Sequence, residues 1–188
     1  TKFLDQTDQD NVGFEIQGPL VLQLEGIGDE SDSLRLEAGL KRDTGEVSNA
    51  NQEQATSNTI YLHSLYTRHW ASPRWTSEFG HNYDQEMYDD EDYEDYDSII
   101  HTLSAALLYK LNPATQVGLR TSLEHETYTN SDDRLDSDTW GVEGLVRRKI
   151  TDRITGELAL GHEMVWYDGG ERESGPTVRG RLDYVVTP

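Results

Sequence analysis

Cysteine is absent from the 188-residue chain. That single absence excludes disulfides, Cys-ligated zinc, iron–sulfur clusters and thiol nucleophiles. Basic residues are scarce beside acidic ones, 16 against 36, which gives a formal charge of -20. A chain so anionic repels phosphate backbones, so nucleic acid is not an expected partner. No uninterrupted apolar run approaches the ~18 residues of a membrane-spanning helix. The first residues, TKFLDQTDQD, have neither the basic start nor the apolar stretch of a secretory signal. Motifs of the common enzymes are missing too: there is no GxSxG, HExxH, Walker loop or GxGxxG. Glu124 and Glu126 stand two apart as a glycosidase pair might. They are read here as wall charges facing arginines, because two acids do not make a site. His63 and His69 are read as structural. The chain is not expected to be an enzyme.

What the chain does have is alternation. In Ser33 to Lys41 the apolar Leu34, Leu36, Ala38 and Leu40 alternate with Arg35, Glu37, Gly39 and Lys41. Val117, Leu119, Thr121 and Leu123 alternate with Gly118, Arg120, Ser122 and Glu124. Trp140, Val142 and Val146 oppose Glu143 and Arg147, and Ile154, Leu158, Leu160, Met164 and Trp166 share a face over Arg153 to Asp168. A period of two marks strands with one apolar and one polar face. The pattern predicts about ten of them: Val12–Gln17, Leu20–Ile27, Ser33–Arg42, Thr59–Trp70, Arg74–Tyr83, Asp97–Leu111, Gln116–Tyr128, Asp138–Ile150, Arg153–Asp168 and Thr177–Val186. Residues 1–11 are expected to form a flexible lead into a single domain spanning 1–188.

Two kinds of connection take turns between these strands. Tight turns fall at Ala71–Pro73, Asn112–Ala114, Thr151–Asp152 and Thr187–Pro188. Long polar connections fall between them: RDTGEVSNANQEQATSN, YDQEMYDDEDYEDYDS, YTNSDDRLDSD and YDGGERESGP. Short turns at one end and long loops at the other define an antiparallel up-and-down meander. Most of the strands exceed the about 5–6 residues usual in soluble sheets and are long enough to cross a bilayer when tilted. Aromatic residues are read as gathering near strand ends (Tyr61, Tyr66, Trp70, Trp75, Tyr83, Tyr109, Tyr128, Trp140, Trp166, Tyr167 and Tyr184), as membrane girdles require. The apolar faces can meet either a second apolar face in a soluble sandwich or lipid; strand length and aromatic placement favour the second, so the expected fold is an all-β transmembrane barrel with apolar side chains outward and a charged lumen. Arg35, Glu37, Lys41, Arg120, Glu124, Glu126, Glu143, Arg147, Glu157, Glu163, Arg179 and Arg181 are the expected lumen-lining residues, their opposite charges paired across strands.

The Tyr83–Ser98 block carries its carboxylates without a single Lys or Arg and is expected to be a solvated loop. Asp89, Asp90, Glu91, Asp92, Glu94 and Asp95 supply hard oxygen ligands suited to Ca²⁺. Their spacing lacks the Gly and terminal Glu of an EF-hand, so a weak loop site is the expectation and no other cofactor is called for.

The repeated unit of long alternating strand, tight turn (KLNPATQVGL, KITDRITGELALGHE, YVVTP) and acid-rich loop resembles the Gram-negative outer-membrane β-barrel, porin-like superfamily. In texture it is most similar to the barrels that accompany exopolysaccharide export. The resemblance covers about Thr59 to Pro188. It implies a place in the bacterial outer membrane and contact with its lipid and lipopolysaccharide. It also implies passage of hydrophilic solute or polysaccharide, with periplasmic export components as partners. Such barrels end on an aromatic-terminated strand, whereas this chain ends at a turn, so further strands are expected at the C-terminus. The competing expectation is a soluble β-sandwich that binds carbohydrate through aromatic platforms and Ca²⁺-holding acidic loops.

Overall fold

A computed structural model describes residues 20–26, 32–46, 54–89, 91–129 and 135–184. The predicted strand Val12–Gln17 and the turn Thr187–Pro188 lie outside them. Nine strands make one sheet: β1 (Leu20–Glu25), β2 (Ser33–Glu46), β3 (Gln54–His69), β4 (Trp75–Tyr88), β5 (Ser98–Asn112), β6 (Thr115–Tyr128), β7 (Ser137–Lys149), β8 (Ile154–Tyr167) and β9 (Arg172–Tyr184). Each pairs antiparallel with the next in chain order, from β1 to β9. Among the described residues the only helical element is a 3₁₀ turn at Glu91–Tyr96.

The meander expected from the alternation is thus present, but the sheet is open. β1 and β9 are its two edges. An odd number of antiparallel strands leaves these edges running in the same direction, so joining them directly would need a parallel pair. Pro176 falls in β9, where an edge strand tolerates a residue that cannot donate to a ladder.

The register gives each strand two unlike faces. Leu36, Ser64, His81, Leu103, Leu123, Trp140 and Met164 follow one another through paired or diagonal positions on one face, with Leu119, Leu158 and Leu160 beside them. The opposite face carries Glu37, His63, Asn82, Thr102, Glu124 and Thr139 in a continuous row. All twelve expected lumen residues fall on this polar face, because paired positions keep their parity along the sheet.

The sheet is curved with its polar face concave. Arg147 on β7 touches Glu78 on β4 at 2.6 Å. Two strands lie between them, and Arg147 stands four residues along β7 from Glu143, which shares the row of Glu78, so along a flat sheet their backbones would be about 20 Å apart at about 4.8 Å per strand and about 3.4 Å per residue.

Three connections differ from expectation. In RDTGEVSNANQEQATSN, expected as a long loop, β2 runs on to Glu46 and β3 begins at Gln54. Tyr83 to Tyr88, expected in a loop, continues β4, and the block then folds into the 3₁₀ turn. The rings explain this. Tyr88, Tyr93 and Tyr96 pack together with centroids 5.9–6.4 Å apart, and Tyr93 is only 6% exposed. The tyrosines bury a small apolar cluster while the interspersed Glu94 and Asp95 stay in water. Likewise YDGGERESGP is not a long loop. Tyr167 N–H donates to the Glu171 carbonyl and Gly170 N–H to that of Tyr167, with Gly170 at φ 84°, so a tight turn leads straight into β9.

Candidate functional site: the polar concave face

The concave face encloses a cavity of about 890 Å³. Of the twelve expected lumen residues, Arg35, Glu37, Arg120, Glu124, Arg147, Glu157, Glu163, Arg179 and Arg181 line it. Glu143 lies beneath the surface, 2% exposed. Lys41 and Glu126 share the face but sit nearer the acidic-loop end, outside the cavity.

Its charges are arranged as a network rather than as isolated pairs. Glu157 receives Arg120 Nη2 at 2.6 Å on one oxygen and Arg147 Nη2 at 2.8 Å on the other. Arg147 also holds Glu78 through Nη1 and Nη2, its two terminal guanidinium nitrogens. The Glu143 carboxylate has Arg179 Nη1 at 2.9 Å and Arg120 Nη1 at 3.5 Å, yet neither of its oxygens has an aligned hydrogen-bond donor. Arg179 also contacts Glu163. Shared partners fix each long side chain from two directions, which lowers the entropy lost per contact and holds the network as a unit.

A buried apolar cluster occupies the same face on the side nearer the tight turns. Leu108 is 0% exposed and Leu145 3%, with Ala159 against them. By register they lie between the Glu78/Arg120/Glu143 row and the row containing Arg147 and Glu157. Two glycines make this filling fit. A Cβ at Gly118 would stand 2.3 Å from the Leu107 carbonyl and 2.7 Å from a Leu108 methyl, and one at Gly161 would stand 2.7 Å from Glu143 Cγ. Their bare backbones let Leu108 and Glu143 lie flat across the neighbouring strand. The concavity is therefore obstructed towards the turns by ion pairs and leucine.

Towards the acidic loops the wall changes character. Asn82, Thr102, Ser104, Ser122, Glu124 and Thr139 present amide, hydroxyl and carboxylate groups around Gly80. Glu124 accepts from Thr102 Oγ1 at 3.2 Å. Such a surface can hydrogen-bond a hydrophilic, hydroxyl-bearing solute.

Comparison with known protein families, curated proteins and solved structures returns no match. The geometry alone carries the functional argument.

Glu78 is not singled out by the sequence, because in TSEFGHNYDQE only Phe79 and Tyr83 are apolar on the face opposite Glu78 and Asn82, alongside Ser77, His81 and Gln85. Nor is the uncharged polar row, since Thr and Ser carry no pattern that separates a lumen from a solvated sheet face. Among the described residues the acidic block holds no ion cage. Asp89 takes a hydrogen bond from Arg42 Nη2 at 2.7 Å and another from Asn58, so its oxygens are already engaged. Glu94 and Asp95 are exposed. Asp90 and the side chains of Glu91 and Asp92 lie outside the described residues. Among the described residues no group of three or more His, Asp or Glu side chains is disposed to hold a metal.

Proposed function

We propose that the chain forms wall of an outer-membrane β-barrel whose polar concave face receives a hydrophilic solute or polysaccharide. The observation that supports it best is the outward face. Leu103, Leu107, Leu119, Leu123, Leu158 and Leu160 are all exposed there, with Leu119 the barest of them at 66%. Contiguous exposed apolar surface across this many strands is unusual for a soluble monomer and suits lipid. A soluble sandwich would need a second sheet against these side chains.

Polar and aromatic rows bound the band on both sides. At the turn end Trp75 packs on Tyr109, centroids 4.8 Å apart, and Arg74 Nη1 donates to the Tyr109 hydroxyl. At the loop end the paired row runs Tyr83, His101, His125, Asp138, Trp166 across β4 to β8. From Tyr109 back to His101, β5 climbs about 27 Å at about 3.4 Å per residue. Tilted at about 40°, that is about 21 Å along the membrane normal, close to the about 25 Å apolar band of outer-membrane barrels.

In this reading the acidic loops face the medium beside lipopolysaccharide and the tight turns face the periplasm. Further strands, running antiparallel to both β1 and β9, complete the wall. The obstruction at the turn end makes the lumen a cup that opens to the loop side, with passage requiring the ion-pair network to part.

Membrane fractionation tests the reading. The full-length protein is expected in the outer-membrane fraction, resistant to alkaline carbonate and soluble only in detergent. A monodisperse, detergent-free preparation of the folded chain would sink it.

A further inference from the structure

The outward face carries a group of imidazoles that solute passage does not use. His81 on β4 and His101 on β5 are diagonal neighbours, since His81 stands opposite Leu103 and His101 opposite Tyr83. His81 Nε2 lies 3.4 Å from His101 Nδ1, with the ring centroids 5.7 Å apart. That is long for a hydrogen bond donated by a ring N–H, which ordinarily spans about 2.7–3.2 Å. It equals the separation of two imidazole nitrogens that share one tetrahedral ion, since two bonds of about 2.0–2.1 Å at the tetrahedral angle put the nitrogens about 3.4 Å apart.

We propose that His81 and His101 form a two-histidine site for a divalent transition-metal ion of the Zn²⁺, Ni²⁺ or Cu²⁺ class, with water filling the remaining positions. Imidazole is the ligand these ions favour. Both histidines project from paired strands, so the backbone ladder sets their spacing; the rings lie 14° from parallel, and rotation about the side-chain bonds brings the two lone pairs to one point. The Tyr83 ring lies against His101, centroids 5.1 Å apart, and limits the imidazole's freedom.

His125, directly across from His101 on β6, does not complete a third position. Its Nδ1 meets Asp138 Oδ1 at 2.9 Å and its Nε2 meets Thr127 Oγ1 at 3.0 Å, so both nitrogens are engaged. Two protein ligands leave the ion exchangeable and open to an outside donor. The site lies at the loop-end margin of the apolar band and rests on the β4–β5 pairing, so it stands whether or not that band faces lipid.

Cu²⁺ and Zn²⁺ are the probes, added to the untagged full-length protein with millimolar Ca²⁺ present to screen the acidic loops. One equivalent of Cu²⁺ is expected to bind, with an electron paramagnetic resonance spectrum showing nitrogen coupling. His81→Asn and His101→Asn are each expected to weaken it by about tenfold or more, whereas His125→Asn leaves it within about twofold. Zn²⁺ is expected to raise the thermal midpoint of the wild type and not of His101→Asn, because the ion ties two strands only in the folded state. Circular dichroism confirms that each variant keeps its sheet. No binding above the Ca²⁺ background, binding untouched by His81→Asn/His101→Asn, or binding that also requires His125 would overturn the assignment.

Discussion

The guanidinium of Arg147 on β7 grips the carboxylate of Glu78 on β4 through Nη1 to Oε1 at 2.6 Å and Nη2 to Oε2 at 3.1 Å, with β5 and β6 lying between the two strands. A bidentate contact across three strand spacings sets the curvature of the sheet and spans the concave face. Both groups are partly shielded; Arg147 keeps Glu157 when Glu78 is removed, whereas Glu78 loses its bidentate partner when Arg147 is removed. Glu78→Gln is therefore expected to cost about 1–3 kcal/mol and Arg147→Gln more, and the Glu78→Gln/Arg147→Gln double variant less than the sum of the singles. Denaturant unfolding of the four proteins measures the coupling. In planar bilayers the double variant is expected to conduct more than the wild type.

Glu157 holds two partners at once. Its two oxygens hold Arg120 and Arg147, so alternation on a charged wall understates its importance. Glu157→Gln is expected to destabilise more than Glu124→Gln, whose carboxylate is bonded by Thr102. Leu160→Arg on the outward face is expected to cost about 2–4 kcal/mol in a bilayer and almost nothing in a soluble protein. Comparing its stability in lipid vesicles with that in detergent separates the two environments.

Gly118 and Gly161 should reject any side chain. A Cβ at either would lie 2.3 Å from a carbonyl oxygen of the adjacent strand, that of Leu107 or Val142. Backbone cannot swing away as a side chain can, so Gly118→Ala and Gly161→Ala are each expected to cost about 1–3 kcal/mol. Gly175→Ala, with nothing within 4 Å of its Cβ, is the control and is expected to be near neutral. Urea midpoints decide the comparison.

Acid should loosen the turn between β7 and β8 slightly. Lys149 Nζ meets Asp152 Oδ1 at 2.8 Å, and this hydrogen bond, aided by the lysine's charge, lowers the Asp152 pKa. A carboxylate depressed in the folded state adds stability above its unfolded value, near pH 4, and loses it as pH falls through the folded one. The pair is exposed, so the effect is small. The urea midpoints of the wild type and Asp152→Asn should differ slightly at neutral pH and converge in acid.

The Tyr88–Tyr93–Tyr96 cluster should decide whether the acidic block stays folded. Tyr93→Ala removes the ring at its centre and is expected to expose Asp89 to Asp97 to endoproteinase Glu-C, with the rest of the sheet left resistant. Unchanged protection would show that the 3₁₀ turn holds without the cluster.

The sequence by itself determined strands, faces and handed-off connections: a strict period of two in β2, β6, β7 and β8 admits one backbone conformation, and a slip of one residue would carry Leu158 and Leu160 to the charged side. It therefore assigned all twelve wall residues to one face. Where local chemistry was mixed it misjudged extent, reading the Tyr83–Ser98 block from its charge when burial of its tyrosine rings governed it. Only the tertiary structure decided that Arg147 meets Glu78, that Leu108 and Leu145 fill the polar face near the turns, and that β1 and β9 remain separate edges. Those outcomes depend on curvature and on contacts between strands distant in the chain, which alternation within a strand does not encode.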